Sequence, residues 1–404
     1  MNEQSEPNAA LKHIVFFWSD LSRIGGISRR IANTLNNAGD RRVRYHSVSL
    51  TNVNDLDHPA NTVVAKSAAR LEAKLGEFDP DTTVLVMANT VARSVRKLTS
   101  RLADFPLVHT HAGQMAWFVQ NNVLAADIDF VQWYRANASI AMSRGDVAFQ
   151  RQLGLMGQHV VCPPCIQRAE NPYDPERNTR IGYVGRIDYA TKGADLLIPV
   201  ARTMRERGMP PLLIYTTDGR NSPDYATFME TLEADGVADA VEIVVGVTDP
   251  NELYGRLSFL LAPSRKEAFG NAVLEACSFG VPVITNAYAP GPAEIVTDGI
   301  SGALVETFDP ETVLRATSID ADARRRLSEG AFARHRDFNF PSYYAALERV
   351  AAIAIRNHAE GKSYAVYPEL RMATDPMNAM LRRADRRRRP LRRALQGIER
   401  LVRR

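Results

Sequence analysis

Residues 262–285 read APSRKEAFGNAVLEACSFGVPVIT, and this stretch decides the fold. An apolar run ends at Ala262, and Pro263-Ser264 opens a loop carrying Glu267, Ala268, Phe269 and Gly270. A helix is expected from about Asn271; it carries Glu275 and stops at Gly280, after which Val281–Thr285 returns as a strand. Strand, helix and strand in so short a span make a parallel pair, because parallel neighbours need a crossover and the crossover is usually a helix. The same order builds a binding surface. The backbone N–H groups of Ala268–Asn271 stand at a helix N-terminus, where unpaired donors and the helix dipole favour an anion. Gly270 lets a ligand approach the backbone closely. Glu275, about one turn inside the helix, offers two acceptor oxygens, which suit the paired hydroxyls of a ribose.

The alternation continues in both directions. Upstream, strands are expected at His13–Trp18, Val43–Val48, Thr83–Met87, Pro106–His111, Ala138–Met142 and His159–Cys162. Ile27, Ile31 and Leu35 recur at helical spacing until Gly39 ends the pattern. The polar segment IQRAENPYDPERN, Ile166–Asn178, has no periodicity and reads as a linker. Beyond it, strands are expected at Arg180–Val184, Leu212–Thr216, Val241–Val245, Ser258–Ala262, Val281–Thr285 and Gly302–Val305. Leu196, Leu197, Val200, Ala201 and Met204 form one helix face. Asp249-Pro250-Asn251-Glu252 marks a helix start, with a capping acid, Pro at the first helical position and Glu at the third. The fold class is therefore α/β: two doubly wound domains, 1–165 and 179–335, joined by a linker at 166–178. Ligands belong beyond the carboxyl ends of the strands in such sheets.

A chain of 404 residues, 45% hydrophobic and 24% charged, can bury two cores and is neither fibrous nor disordered as a whole. Nothing approaches the ~18 consecutive apolar residues of a membrane span. The opening MNEQSEPNAALKH lacks the apolar core of a signal peptide, and three cysteines suit a reducing compartment, so a cytoplasmic protein is expected. The net charge of +4 hides a division: Arg371–Arg404 holds twelve Arg against three acids, a net +9, which leaves −5 on the other 370 residues. In that tail Met377, Met380, Leu381 and Ala384 can line one face, and Pro390 breaks the pattern. Leu391, Leu395, Ile398 and Val402 then recur at helical spacing among Arg392, Arg393, Arg400, Arg403 and Arg404. A basic amphipathic helix suits an anionic membrane surface, where each basic residue contributes ~1 kcal/mol, so the partner expected for residues 376–404 is such a surface. The plainer reading is a solvated arm. Nucleic acid is not expected, because the tail lacks interleaved aromatics and the body is acidic.

Glu267 and Glu275 are spaced as Glu-x7-Glu within strand, Pro-Ser, acid, Phe-Gly, apolar helix, acid, Gly-x-Pro and strand. In this the chain resembles the retaining glycosyltransferase family 4, which has the GT-B fold. Other landmarks follow in order. Gly182-Tyr183-Val184-Gly185-Arg186 with Lys192-Gly193 looks like that family's strand, Gly-Arg and Lys-Gly segment. Val244-Val245-Gly246-Val247-Thr248-Asp249 resembles its base-binding loop, and Gly291-Pro292-Ala293-Glu294 and Asp298–Gly302 resemble two later Gly-containing segments. The likeness covers residues 13–355 and is strongest over 180–305.

The resemblance implies two Rossmann-like domains facing across a cleft, residues 336–358 as a helix packing back toward the N-terminal domain, and 359–404 as a basic tail. It implies that Arg186 and Lys192 neutralise a donor diphosphate, including the charge that grows as it leaves. Glu275 would bind the ribose. Glu267, with Ala268, Phe269, Gly270 and Asn271, would hold the sugar, and Gly246 and Val247 would contact the base. In the N-terminal domain Gly25 and Gly26 sit between the first strand and helix, where backbone amides can approach a phosphate or the acceptor. The family usually has a histidine after the strand that here is Pro106–His111; PLVHTHAG offers His109 and His111, of which His111 lies nearer the strand end. Glu267, His111, Arg186 and Lys192 form the expected catalytic set, with Gly25, His109 and His111 on the acceptor side.

The chemistry so implied is transfer with retention of anomeric configuration by a front-face displacement, the leaving phosphate helping to deprotonate the acceptor. No cofactor or metal is expected beyond the nucleotide-diphosphate sugar itself as substrate; Asp55–Asp57 and Asp127–Asp129 are Asp-x-Asp strings that follow no apolar strand. Cys162-Pro163-Pro164-Cys165 has redox spacing, but it falls in a strand-to-loop segment, and only Cys277 is left over. Thr216-Thr217-Asp218-Gly219-Arg220 replaces the Gly-x-Gly turn the family often has, and no G-x-G-x-x-G follows a strand, which argues against a nicotinamide enzyme. The expected protein is a cytoplasmic transferase, peripheral at the inner face of the cytoplasmic membrane, acting on a lipid-linked or growing cell-envelope glycan. Its rivals are another GT-B chemistry, a nucleotide-sugar epimerase or phosphorylase, and a catalytically silent nucleotide-sugar-binding scaffold.

Overall fold

The structure, a computed structural model, describes residues 11–21, 26–52, 58–87, 91, 95, 98–110, 136–152, 159–167, 169, 173–216 and 223–362. They form two compact units, one drawn from residues up to 161 except 142–146 together with those from 346 onward, the other from 142–146 and 162–345.

The first unit is a seven-stranded sheet of β1 (His13–Asp20), β2 (Arg44–Thr51), β3 (Thr62–Val64), β4 (Thr83–Met87), β5 (Leu107–Thr110), β6 (Ala138–Ala141) and β7 (His159–Val161), in the order β3-β2-β1-β4-β5-β6-β7. Every pair is parallel. Parallel sheets are covered on both faces, so central strands become continuous apolar runs. The VFF of β1 and the VLVM of β4 are buried throughout. Leu71 and Leu75 of the helix Ala68–Gly76, capped by the Ser67 side chain, close one core with Val15, Phe17, Leu85 and Met87. Strand β3 is absent from the expected list because its three residues are too few for a pattern to register. The later part of the helix Phe340–Ala359 belongs to this unit: Tyr45 Oη donates to Glu348 at 2.9 Å, and Asn357 Nδ2 donates to the Asn137 carbonyl at 2.7 Å.

The second unit is a six-stranded parallel sheet of β8 (Arg180–Val184), β9 (Leu212–Thr216), β10 (Val241–Val245), β11 (Leu257–Ala262), β12 (Val283–Asn286) and β13 (Gly302–Val305), in the order β10-β9-β8-β11-β12-β13. The chain starts at β8 in the middle, winds outward one way, and returns to β11 to wind the other way. The reversal lies between β8 and β11, and the crevice beyond their carboxyl ends is where such sheets bind ligands. Leu197, Val200, Ala201 and Met204 of the helix Leu197–Glu206 bury against β8 and β9 with Ile181, Leu212 and Ile214, and Gly208, in the left-handed region, follows the helix end. Strand β12 begins at Val283 rather than Val281, because Pro282 has no N–H to donate to a ladder. Ile166 and Asn178, at the ends of the expected linker, are tied to this unit. The Ile166 carbonyl accepts from His335 Nε2, and Asn178 Nδ2 donates to the carbonyls of Tyr254 and Leu257.

Candidate functional site

Beyond β8 the chain turns sharply and carries Arg186, Asp188 and Lys192. Asp188 shapes the turn: its carboxylate accepts from the Thr191 amide (2.8 Å) and hydroxyl (2.5 Å), and its carbonyl accepts from the Lys192 amide at 3.1 Å. Gly193 is left-handed, and a Cβ there would collide with the Pro263 carbonyl oxygen just beyond β11, so the turn is pressed onto the neighbouring strand's exit. The Thr191 carbonyl then accepts from the amides of Arg265 (2.9 Å) and Lys266 (3.1 Å). Strapped together in this way, the two loops place the Lys192 ammonium against the Glu267 carboxylate in a direct ion pair. Arg186 lies 3.4 Å from Asp188 with 54% of its side chain exposed. Burial pushes the Asp188 carboxyl up, but the Thr191 hydrogen bonds, Arg186 and Lys192 outweigh it and hold the group below the usual carboxylate range.

A residue that sequence reasoning passed over braces the same loops. Arg265 forms a two-pronged pair with Asp195, at 2.5 and 2.8 Å, and donates to the Tyr189 carbonyl at 2.6 Å. The planar guanidinium matches a carboxylate bidentately, which fixes orientation as well as distance. Arg265 and Asp195 are 70 positions apart, so no local pattern announces the pair.

Glu275 sits on the helix Asn271–Ser278, whose N-cap is Gly270 at φ 97°. The left-handed turn brings Phe269 and Gly270 up to the helix start, and Gly291 packs so close to the Phe269 backbone that a Cβ there would overlap it. Glu275 is buried and accepts a hydrogen bond from the hydroxyl of Tyr254, itself fully buried, at 2.7 Å. Tyr254 is the second residue not anticipated; its one sequence signal is that it ends the helix Pro250–Tyr254 begun by the capping Asp249, whose side chain accepts from the Asn251 amide. That helix follows Gly246, at φ 86°, whose amide donates to the Thr216 carbonyl at 2.9 Å, and Val247. Arg186, Lys192, Gly246, Val247, Glu267–Asn271 and Glu275 thus all stand at or beyond the carboxyl ends of β8, β10 and β11. Glu294 and Asp298 are tied to backbone: Glu294 accepts from the distant Gly145 amide and Asp298 from the nearby Leu304 amide.

In the first unit, Gly26 opens the helix Gly26–Asn36, on which the buried Arg30 donates to Thr110 at the end of β5 at 3.2 Å. His109 lies inside the sheet, in register with Met87 on one side and Ser139 on the other. Burial, and next the neighbouring His159, push its imidazole down to about 3, so it is neutral at physiological pH. Gly25, His111, Asp55–Asp57, Asp127–Asp129 and the basic tail lie outside the described residues. Cys162, Cys165 and Cys277 are buried and in no disulfide, and burial pushes the Cys277 thiol up to about 12, away from a reactive thiolate. Among the described residues no group of three or more His, Cys, Asp or Glu could hold a metal ion.

Residues 178–318 match the family Glycosyl transferases group 1. The lipopolysaccharide core biosynthesis mannosyltransferase LpcC of Rhizobium leguminosarum bv. viciae is 32% identical over 184 residues, covering 43% of this chain and 48% of that one. The lipopolysaccharide glucosyltransferase WaaG of Escherichia coli is 30% identical over 170 residues, covering 41% and 44%. The chain thus spans less than half the length of these relatives. Among solved structures, HepE of Anabaena in complex with UDP and glucose superposes with a TM-score of 0.67 at 18% identity, covering 84% of this chain and 100% of that one. Sucrose-phosphate synthase of Thermosynechococcus elongatus also gives 0.67 at 18% identity, covering 84% and 98%. The shared architecture is GT-B, two parallel-sheet Rossmann-like units.

Proposed function

We propose, for a chain on a GT-B fold whose residues 178–318 match the family Glycosyl transferases group 1, that this protein moves a sugar from a nucleotide-diphosphate donor to a glycan or lipid-linked acceptor, with retention at the anomeric carbon. The observation that carries the reading is the Lys192–Glu267 pair at the switch point of the second sheet, beside the Gly270-capped helix. Lys192 and Arg186 stabilise the diphosphate as charge accumulates on it, which lowers the barrier because the positive charges are in place before the bond breaks. Glu267 holds the Lys192 ammonium and accepts from the donor sugar's hydroxyls, fixing the anomeric carbon in one pose. The amides at Ala268–Asn271 face the anionic donor, Glu275 takes the ribose and Gly246–Val247 the base.

In the front-face displacement, the acceptor oxygen bonds to the anomeric carbon from the side the diphosphate leaves. The acceptor proton passes to the departing phosphate oxygen. No metal enters this scheme.

The names of both relatives, a lipopolysaccharide core mannosyltransferase and a lipopolysaccharide glucosyltransferase, support a cell-envelope acceptor. The run of arginines from 376 to 404 supports attachment to the anionic inner face of the cytoplasmic membrane. Among the described residues no helix is long and apolar enough to cross a membrane. The deciding experiment is a turnover screen of nucleotide sugars with envelope glycolipid acceptors, the product anomer read by NMR. An inverted product removes the retaining mechanism. Donor epimerised or phosphorolysed without an acceptor replaces transfer with a different chemistry.

A further inference from the structure

We propose that Tyr254 is a positioning residue for nucleotide recognition: its hydroxyl holds the Glu275 carboxylate in the orientation that receives the ribose hydroxyls of a nucleoside diphosphate. The inference rests on the reading of Glu275 as the ribose-binding acid. A glutamate side chain has several rotatable bonds, and a ligand that must order it binds more weakly than one that finds it in place. Tyr254 removes that requirement. Its hydroxyl donates to Glu275 Oε2 at 2.7 Å, with both residues buried.

Tyr254 is itself held. Its ring packs against Phe279 with centroids 5.5 Å apart, and its carbonyl accepts from Asn178 Nδ2 at 3.2 Å. The same Asn178 amide group reaches the Leu257 carbonyl at 2.9 Å, tying the helix end to the start of β11. A side chain fixed at ring and backbone presents its hydroxyl in one direction. An ionised carboxylate has about four lone-pair positions. Tyr254 takes one of them and sets the plane of the rest.

The placement also joins two parts of the nucleotide site. Tyr254 ends the five-residue helix Pro250–Tyr254, which follows directly on the Gly246–Asp249 turn assigned to the base. The segment assigned to the base is therefore continuous with the segment that orients the ribose acid.

The test uses the full chain and calorimetric titration with UDP, GDP and ADP, followed by the 2′-deoxy form of whichever binds most tightly. Wild-type protein is expected to prefer the ribonucleotide. Tyr254→Phe keeps the ring and its packing but removes the donor. The bond lies within the protein, so its loss reaches the ligand only as the cost of ordering a freed Glu275 side chain, and the variant is expected to lose about 3- to 10-fold for the ribonucleotide and under about twofold for the deoxy form. In a Glu275→Ala background, Tyr254→Phe should change neither affinity further. Equal losses for both nucleotides, or an unchanged preference, overturn the proposal and leave Tyr254 a packing residue. A wild type that binds none of the three probes overturns the nucleotide reading itself, and this inference with it. If Tyr254→Phe does not fold, difluorotyrosine introduced at position 254 supplies a stronger donor on the same ring. The ribose preference is then expected to rise, and a preference that stays level overturns the proposal.

Discussion

The Lys192 ammonium and the Glu267 carboxylate, 75 positions apart, form a direct ion pair where the loops after β8 and β11 meet. The backbone strap from the Thr191 carbonyl to the Arg265 and Lys266 amides holds the two loops beside each other at this pair.

If this pair meets the donor, Lys192→Ala removes charge that stabilises the leaving group. Loss of one such donor costs about 10²- to 10³-fold in kcat, and a similar loss is expected here and for Glu267→Ala. Steady-state kinetics on variants with unchanged melting curves checks this; turnover surviving both substitutions removes the site assignment.

Gly193→Ala tests the turn. A left-handed φ of 65° is strained for alanine, and its Cβ meets the Pro263 carbonyl, which must move. A destabilisation of about 1–3 kcal/mol follows, lowering Tm by several degrees in a unit of this size. Calorimetry measures it, and a Tm equal to wild type would show that the two loops are not in contact.

The Arg265–Asp195 brace is one-third exposed on each side, which limits its stability value to the range of a screened surface pair. Its main effect belongs in activity: Arg265→Ala is expected to reduce kcat about tenfold through a looser Lys192–Glu267 geometry, with Tm nearly unchanged. Arg265→Lys keeps the charge but not the fork, and should recover only part of the loss. Full recovery by lysine would assign the effect to charge rather than orientation.

Acid should weaken the first unit through its histidines. His13 Nδ1 and His46 Nε2 lie 3.1 Å apart against Phe78, with Lys12, Arg44, Lys74 and Glu77 as the charged neighbours. Burial first, then His13, pushes the His46 imidazole down to about 4 from an ordinary 6.5. The unfolded chain therefore binds protons that the folded one does not, so this stability is complete above pH 6.5 and is lost as pH falls toward 4. His109 acts in the same direction. Melting temperature should fall steadily over that window, and less steeply in His46→Asn; parallel curves would exclude His46 as a source.

Flotation with anionic vesicles tests the tail. The full chain is expected to float and a 1–370 truncation to remain below, with binding of the full chain falling as salt screens the arginines. Equal flotation discards the tail as the membrane anchor.

Much of this architecture can be read from local pattern. Strands β4, β8, β9, β10 and β13 have the bounds expected of them; in β4 and β9, buried at every residue, the apolar run itself sets the strand, because a strand covered on both faces must be apolar throughout. The Asp249 cap and the Gly270 turn are equally local, each set by residues within a few positions. Strand β3 escaped because a three-residue edge strand carries no period. His109 and His111 could not be separated by spacing alone; strand pairing places His109 in the sheet interior, and His111 lies outside the described residues.

By itself the sequence determined the α/β alternation, the Glu267 and Glu275 spacing and the division of charge between body and tail. These depend on neighbours along the chain, where periodicity and turn chemistry act. Only the tertiary structure decided who touches whom: Lys192 with Glu267, Arg265 with Asp195, Tyr254 with Glu275. The first two contacts exist because parallel order sets β8 beside β11, and the third because the helices before and after β11 pack together; strand order is fixed by burial of the whole sheet rather than by any segment of it.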